Sequence, residues 1–322
     1  MDIQIELTAT GGPDGLRVAP CAPADPGPGQ IRVRHDGIGV NFIDIYQRTG
    51  LYRLPLPAVL GVEGAGVVEA VGPDVHGLKI GDRIVYAGLT GGYAASRLLP
   101  AWRAIPLPDA IGSDIAAASF LRGLTAHMLL TRTHAVGAGS TILVHAAAGG
   151  LGTTLTAWAK QRGATVIGTA GTPQKAQIAR EAGIDHVIIG RDADIVAEVR
   201  ALTDGRGVDV AIDGIGGTML ARTLGCVCRF GTVASIGQAA GPIPPLLVED
   251  LGPVRSLTLA RPSVMAYAAE PDTYRAAALE VIRAMESGIA PTIGRRYGLA
   301  DAARAQADLE AGATTGSLLL VP

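Results

Sequence analysis

The chain has 322 residues, 48% of them hydrophobic and 17% charged, with a net charge of −2 at pH 7. That balance supplies a large core and excludes a disordered chain, and the scattered basic residues exclude a nucleic-acid-binding stripe. No apolar run approaches the roughly 18–20 residues that cross a bilayer, and the opening residues lack a signal-peptide layout, so the sequence predicts a cytoplasmic protein without a membrane partner.

The first hundred residues read as short strands, at 30–34, 67–71 and 83–86, broken by turns such as Gly11-Gly12-Pro13. That texture predicts an irregular β-rich unit. Between 114 and 131 the period lengthens: Ile115, Ala118, Leu121, Leu124 and Met128 recur at helical steps. From Thr141 a regular alternation begins. Strands are expected at 141–146, 164–169, 186–189, 208–213 and 231–236, with helices at 153–162, 174–181, 195–202 and 219–224 between them. This spacing predicts an α/β fold, a parallel sheet wound with helices on both faces. A helix at 274–287 and a strand at 317–321 close the chain, which lets the tail return to the first unit.

The segment Thr141-Ile-Leu-Val-His-Ala-Ala-Ala-Gly-Gly-Leu-Gly152 is a strand, a turn and a helix start. Aligned to G-x-G-x-x-G it places Ala147, Gly149 and Gly152 at the glycine positions, and predicts a pyrophosphate seated near a helix N-terminus beginning close to Gly152. The second strand ends Ile167-Gly-Thr-Ala-Gly-Thr-Pro173, with Thr169, Gly171 and Thr172 but no carboxylate for a ribose 2′-hydroxyl. Lys175 follows, a cation suited to a 2′-phosphate. NADPH is therefore expected, with NADH as the second possibility.

Six histidines (35, 76, 127, 134, 145 and 186) and three cysteines (Cys21, Cys226 and Cys228) show no zinc-ligand spacing and no disulfide framework. No metal site is expected. His145, at the end of its strand, reads as a satisfied core histidine. No Gly-x-Ser-x-Gly elbow announces a covalent intermediate.

Several stretches together resemble the quinone oxidoreductases of the zeta-crystallin type, in the medium-chain dehydrogenase/reductase superfamily. They include Gly39-Val-Asn-Phe-Ile-Asp-Ile-Tyr46, Gly50-Leu-Tyr52, Leu60-Gly-Val-Glu-Gly-Ala-Gly66, Gly81-Asp-Arg-Ile-Val-Tyr86, Ser119-Phe-Leu-Arg-Gly-Leu-Thr125, the glycine turn and Arg261-Pro-Ser263. The likeness runs the length of the chain in order. It implies a GroES-like catalytic domain from residues 1–124 and 261–322, a Rossmann cofactor domain at 125–260, and a homodimer. It also implies that Asn41, Asp44, Tyr46 and Tyr52 border the nicotinamide and quinone pocket. Thr125, Gly150, Leu151, Lys175 and Gly237, Gln238, Ala239 and Ala240 would line the cofactor. Zinc-dependent relatives carry a cysteine at Asn41 and a histidine at Val62, so the resemblance implies a zinc-free member. Two positions depart from close relatives: Gly190 replaces a tyrosine and Gly312 an arginine, both contacts to the 2′-phosphate, and Arg191 stands beside the first.

The expected activity is transfer of reducing equivalents from NADPH to a quinone. Two alternatives share the cofactor: reduction of the C=C bond of an α,β-unsaturated ketone or aldehyde, and NADPH binding without catalysis.

Overall fold

In the computed structural model, which describes residues 2–22 and 24–322, the chain opens with an antiparallel pair, β1 (Ile3–Leu7) and β2 (Leu16–Pro20). β3 (Gln30–Val40) follows, and alternation makes it a strand: Ile31, Val33 and His35 turn inward while Arg34 and Asp36 face solvent. It runs six residues beyond the expected strand end because Ile38, Gly39 and Val40 pair with Leu320, Leu319 and Leu318 of the last strand of the chain. On the way it bends through register shifts at Arg32/Val33 and His35/Gly37. Next come α1 (Phe42–Arg48), β4 (Ala58–Val59), β5 (Glu63–Val71), β6 (Arg83–Ala87), β7 (Ser96–Pro100), β8 (Ile105–Pro106) and α2 (Ser113–Met128). β5 starts at Glu63, before the expected residue 67.

The expected alternation then appears as β9 (Thr141–Val144), α3 (Gly150–Gln161), β10 (Thr165–Ala170), α4 (Pro173–Glu181), β11 (His186–Ile189), α5 (Ile195–Leu202), β12 (Val208–Asp213), α6 (Met219–Cys226), β13 (Val227–Ser235) and β14 (Thr258–Ala260). These strands form a parallel sheet in the order β11-β10-β9-β12-β13-β14, the doubly wound α/β fold. Its central strands are apolar runs buried on both faces, with Leu143, Ala211 and Val233 fully inaccessible. β9 ends at Val144, short of the expected 146, because Ala146 adopts φ 51°. α3 begins at Gly150, ahead of the expected 153 and of Gly152, with Gly149 as its N-cap.

The chain closes with α7 (Val264–Tyr267), α8 (Pro271–Glu286), β15 (Ile293–Gly298), α9 (Ala302–Glu310) and β16 (Ser317–Val321). β16 pairs antiparallel with β3 and parallel with β15. Met1–Leu124 and Val264–Pro322 therefore make one unit and Thr125–Ser263 another. In the first unit, Ile38, Val40, Leu60, Leu318 and Leu320 form one buried cluster, and Ile31, Val33, Val68, Ile84 and Leu99 a second. Each such side chain contributes about 1.5–3 kcal/mol by leaving water. Among the described residues no helix is long and apolar enough to cross a membrane.

Candidate functional site

In the first unit, the turn from β3 into α1 carries the polar residues. Asn41 is the N-cap of α1, and Asp44, at the third helical position, accepts the Asn41 amide through Oδ2 at 2.8 Å, half of a capping box. The same oxygen accepts the Tyr93 hydroxyl at 2.9 Å. Asp44 is fully buried and its Oδ1 has no partner. Burial pushes its carboxyl up to about 7, against the two hydrogen bonds that favour the charged form. Asn41 is itself 7% exposed, and its Nδ2 donates to Glu63 Oε1 at 2.7 Å. One amide hydrogen of Asn41 is thus committed to Glu63.

Glu63 anchors this cluster from the start of β5. Its Oε2 accepts the Leu121 amide at 2.7 Å, and Oε1 lies 3.3 Å from Arg122 Nη1. Arg122 also donates to the carbonyls of Ala118 and Val40 at 2.9 and 2.8 Å. Burial raises the Glu63 carboxyl above its ordinary range, and the Arg122 guanidinium opposes that shift. At the other end of α1, buried Arg48 donates to the Gly11 carbonyl, to Gln306 and to Glu310, tying the helix to α9. The ring of Tyr46 is buried and meets Tyr52 edge-on at 5.4 Å, while Tyr52 is 40% exposed. Asn41, Tyr46 and Tyr52 thus sit on one rigid helix and the turn after it, with Asp44 behind them.

In the second unit the remaining residues collect at the carboxyl ends of the parallel strands, where open α/β sheets bind ligands. Thr125 lies apart from these loops in sequence, on α2. Thr153 N–H makes the first bond of α3, to the Gly149 carbonyl at 2.9 Å, so the amides of Gly150, Leu151 and Gly152 precede the helical ladder. Three free N–H groups at the positive end of a helix dipole suit a pyrophosphate. Ala147 is buried at the turn, its amide bonded to the Thr169 carbonyl at 3.0 Å. After β10, Gly171 is exposed and Thr172 caps α4 by accepting the Lys175 amide at 3.2 Å. The loop at 237–240 is braced: Ala239 and Ala240 amides donate to Gly214 and Ile215 carbonyls at 3.2 and 2.8 Å, and the α-carbon of Gln238 closes on Gly216.

His145 is the satisfied histidine expected from the sequence. Thr223 faces two acceptors, Asp213 Oδ2 at 3.2 Å and the Met219 carbonyl at 2.9 Å, so its single proton points to one of them. Towards the imidazole Thr223 therefore accepts, from Nε2–H at 2.9 Å, and Nδ1 accepts the Thr169 hydroxyl at 3.1 Å. Burial lowers the His145 pKa, which keeps the ring neutral. Thr169 Oγ1 accepts the Ala146 amide at 3.3 Å, so the chain from Asp213 ends on the turn that opens the anion site.

Glu63, Tyr93 and Arg122, and in the second unit Asp213 and Thr223, were not singled out by the sequence. A lone carboxylate inside Leu60-Gly-Val-Glu-Gly-Ala-Gly66 was the available signal, because carboxylates are almost never fully buried without a partner. Among the described residues, no group of three or more His, Cys, Asp or Glu is placed to hold a metal ion.

Comparison with known proteins agrees in extent and order. The alcohol dehydrogenase GroES-like domain family matches residues 27–109, and the zinc-binding dehydrogenase family matches 150–283. A quinone oxidoreductase of Pseudomonas aeruginosa is 42% identical over 322 residues, covering 99% of each chain. The 2-haloacrylate reductase of a Burkholderia species is 38% identical, over 97% of this chain and 96% of its own. The crystal structure of the Escherichia coli quinone oxidoreductase complexed with NADPH superposes with a TM-score of 0.95 at 40% identity, covering 99% of this chain and all of that one.

Proposed function

This chain belongs to the quinone oxidoreductases of the medium-chain dehydrogenase/reductase superfamily, and we propose that it passes reducing equivalents from NADPH to a quinone without a metal. The observation that carries this reading is likeness over the whole chain to a quinone oxidoreductase solved with NADPH. The residues present fit that cofactor: free amides at 150–152 for the pyrophosphate, and no carboxylate between Thr165 and Lys175 to repel a 2′-phosphate. When bound, NADPH supplies the hydride. A quinone spreads the incoming charge over its ring and second oxygen, so preorganised hydrogen-bond donors stabilise it. The remaining amide hydrogen of Asn41 and the exposed Tyr52 hydroxyl are those donors. Asp44 and Glu63 hold Asn41 in place, and Tyr46 orients Tyr52 through their edge-on contact. In the second unit, Thr169 and the 237–240 loop keep the cofactor-binding turns in register.

Purified protein is expected to oxidise NADPH with benzo- and naphthoquinones faster than with an enone of similar size. Faster turnover of the enone would favour C=C reduction, the reading supported by likeness to the 2-haloacrylate reductase. Tight NADPH binding with no turnover of either acceptor would overturn both.

The same reading makes the protein a cytoplasmic homodimer. β14 ends its sheet, and Phe230, whose amide donates to the Arg255 carbonyl at 3.1 Å, is 79% exposed beside Val254 at 74%. Open edges and exposed apolar side chains favour pairing with a second copy. Sedimentation should give twice the chain mass, and Phe230→Asp should lower it; a wild-type monomer at all concentrations would refute the dimer.

A further inference from the structure

We infer that Arg191 is the residue that selects NADPH over NADH, by pairing with the 2′-phosphate across Gly171. The inference rests on the NADPH reading above and adds to it the residue responsible. β10 and β11 are neighbours whose carboxyl ends are joined by the Gly190 amide donating to the Ala170 carbonyl at 2.9 Å. The end of the second strand of such a fold is where the adenine ribose is read, by a carboxylate for a 2′-hydroxyl or a nearby arginine for a 2′-phosphate. No carboxylate stands there in this chain, and position 190 has no side chain to offer.

Arg191 reaches the place instead. A β-carbon added to Gly171 would have only two neighbours within 4 Å, Arg191 Nε at 3.6 Å and Cγ at 3.7 Å. The arginine stem therefore lies across the bare backbone between β10 and the Thr172 cap, and Lys175 follows in the first turn of α4. Arg191 is exposed and makes no hydrogen bond or ion pair with any other described residue. The nearest acidic residues in sequence are Asp192, which is exposed, and Asp194, whose carboxylate caps α5 by accepting the Ala197 amide at 3.1 Å. A planar guanidinium, free to form two parallel bonds to one phosphate, is the group that recognises such a ligand most selectively.

The test is binding, independent of turnover. Dissociation constants of NADPH, NADH and 2′,5′-ADP are measured by fluorescence titration or calorimetry for the wild type, Arg191→Ala and Arg191→Gln. Both variants should weaken NADPH and 2′,5′-ADP on the order of tenfold, the scale of one charge-assisted contact at an exposed site, and change NADH by less than about twofold. Equal weakening of NADPH and NADH, or no change in either, overturns the assignment while leaving the NADPH reading intact. A wild type that binds NADH as tightly as NADPH overturns both. The glutamine variant keeps the stem over Gly171, so a loss seen only with alanine would mark packing rather than phosphate recognition and also overturn the assignment.

Discussion

Replacing Glu63 by alanine is expected to destabilise the first unit by about 3–5 kcal/mol, the usual result of removing one partner from a buried ion pair. The carboxylate is fully buried, and three donors converge on it: Asn41 Nδ2, the Leu121 amide and Arg122. Truncation leaves all three facing a cavity, with the Arg122 charge unpaired. In a unit of this size the loss should lower the thermal midpoint by roughly 6–20 °C. The comparison that isolates the pair is Glu63→Leu with Arg122→Leu. Replacing both partners by apolar groups removes the unpaired charge, so the double variant should be more stable than Glu63→Ala. Both proteins should lose quinone turnover, because Asn41 loses the anchor that fixes its amide plane. A Glu63→Ala midpoint within about 2 °C of wild type, or full turnover, would remove Glu63 from this role.

The wound sheet was legible because its strands are continuous apolar runs punctuated by glycine. The bounds of the strands His186–Ile189 and Val208–Asp213 coincide with the sequence reading, as do those of the helix Ile195–Leu202 between them. Where the reading drifted, local conformation intervened. Ala146, at φ 51°, turns the chain where an apolar run continues, so β9 stops early. Phe230, at φ 60°, lies within β13, in the irregularity between its pairings with β12 at Val227 and Thr232. The elements not anticipated lack a periodic signal. α1 has only seven residues, too few for a repeating pattern, and its polar side, Asp44, Gln47 and Arg48, is buried along with Ile45 and Tyr46, so no solvent-facing stripe marks it. β15 carries Arg295 and Arg296 and is a strand only because β16 pairs with it. α9 is mostly small residues whose packing depends on β16 and α1. For the candidate site, motif and resemblance pointed to residues close together in sequence, such as those at 147–152 and 41–52. Partnerships across long separations, Glu63 with Arg122 or His145 with Thr223, depend on the folded chain and left no spacing to read.

Two neighbouring glycines separate what the turn needs for folding from what it needs for its ligand. A β-carbon at Gly152 would lie 2.6 Å from the Ala146 carbonyl oxygen and 2.7 Å from the Ala147 α-carbon, both backbone atoms of the turn. Neither can yield without moving the turn off the helix. Gly152→Ala should therefore displace the amides at 150–152 and lower kcat/KM for NADPH on the order of 100-fold, the penalty for misplacing a binding element by about an ångström. Gly149 is different. Its φ of −77° suits any residue, and an added β-carbon would have one neighbour, the Ala146 oxygen at 3.3 Å. Alanine at 149 asks the Ala146 oxygen to give by only a few tenths of an ångström, a far smaller shift than alanine at 152 demands. The close approach of a pyrophosphate to the backbone, by contrast, leaves no room for it. Gly149→Ala is expected to keep the wild-type thermal midpoint and still bind NADPH and NADH on the order of tenfold more weakly, by the same factor for each because the pyrophosphate is common to both. Wild-type affinity in Gly149→Ala would mean that the pyrophosphate does not approach the turn at that residue. Unchanged turnover in Gly152→Ala would mean that the turn does not set the cofactor's position at all.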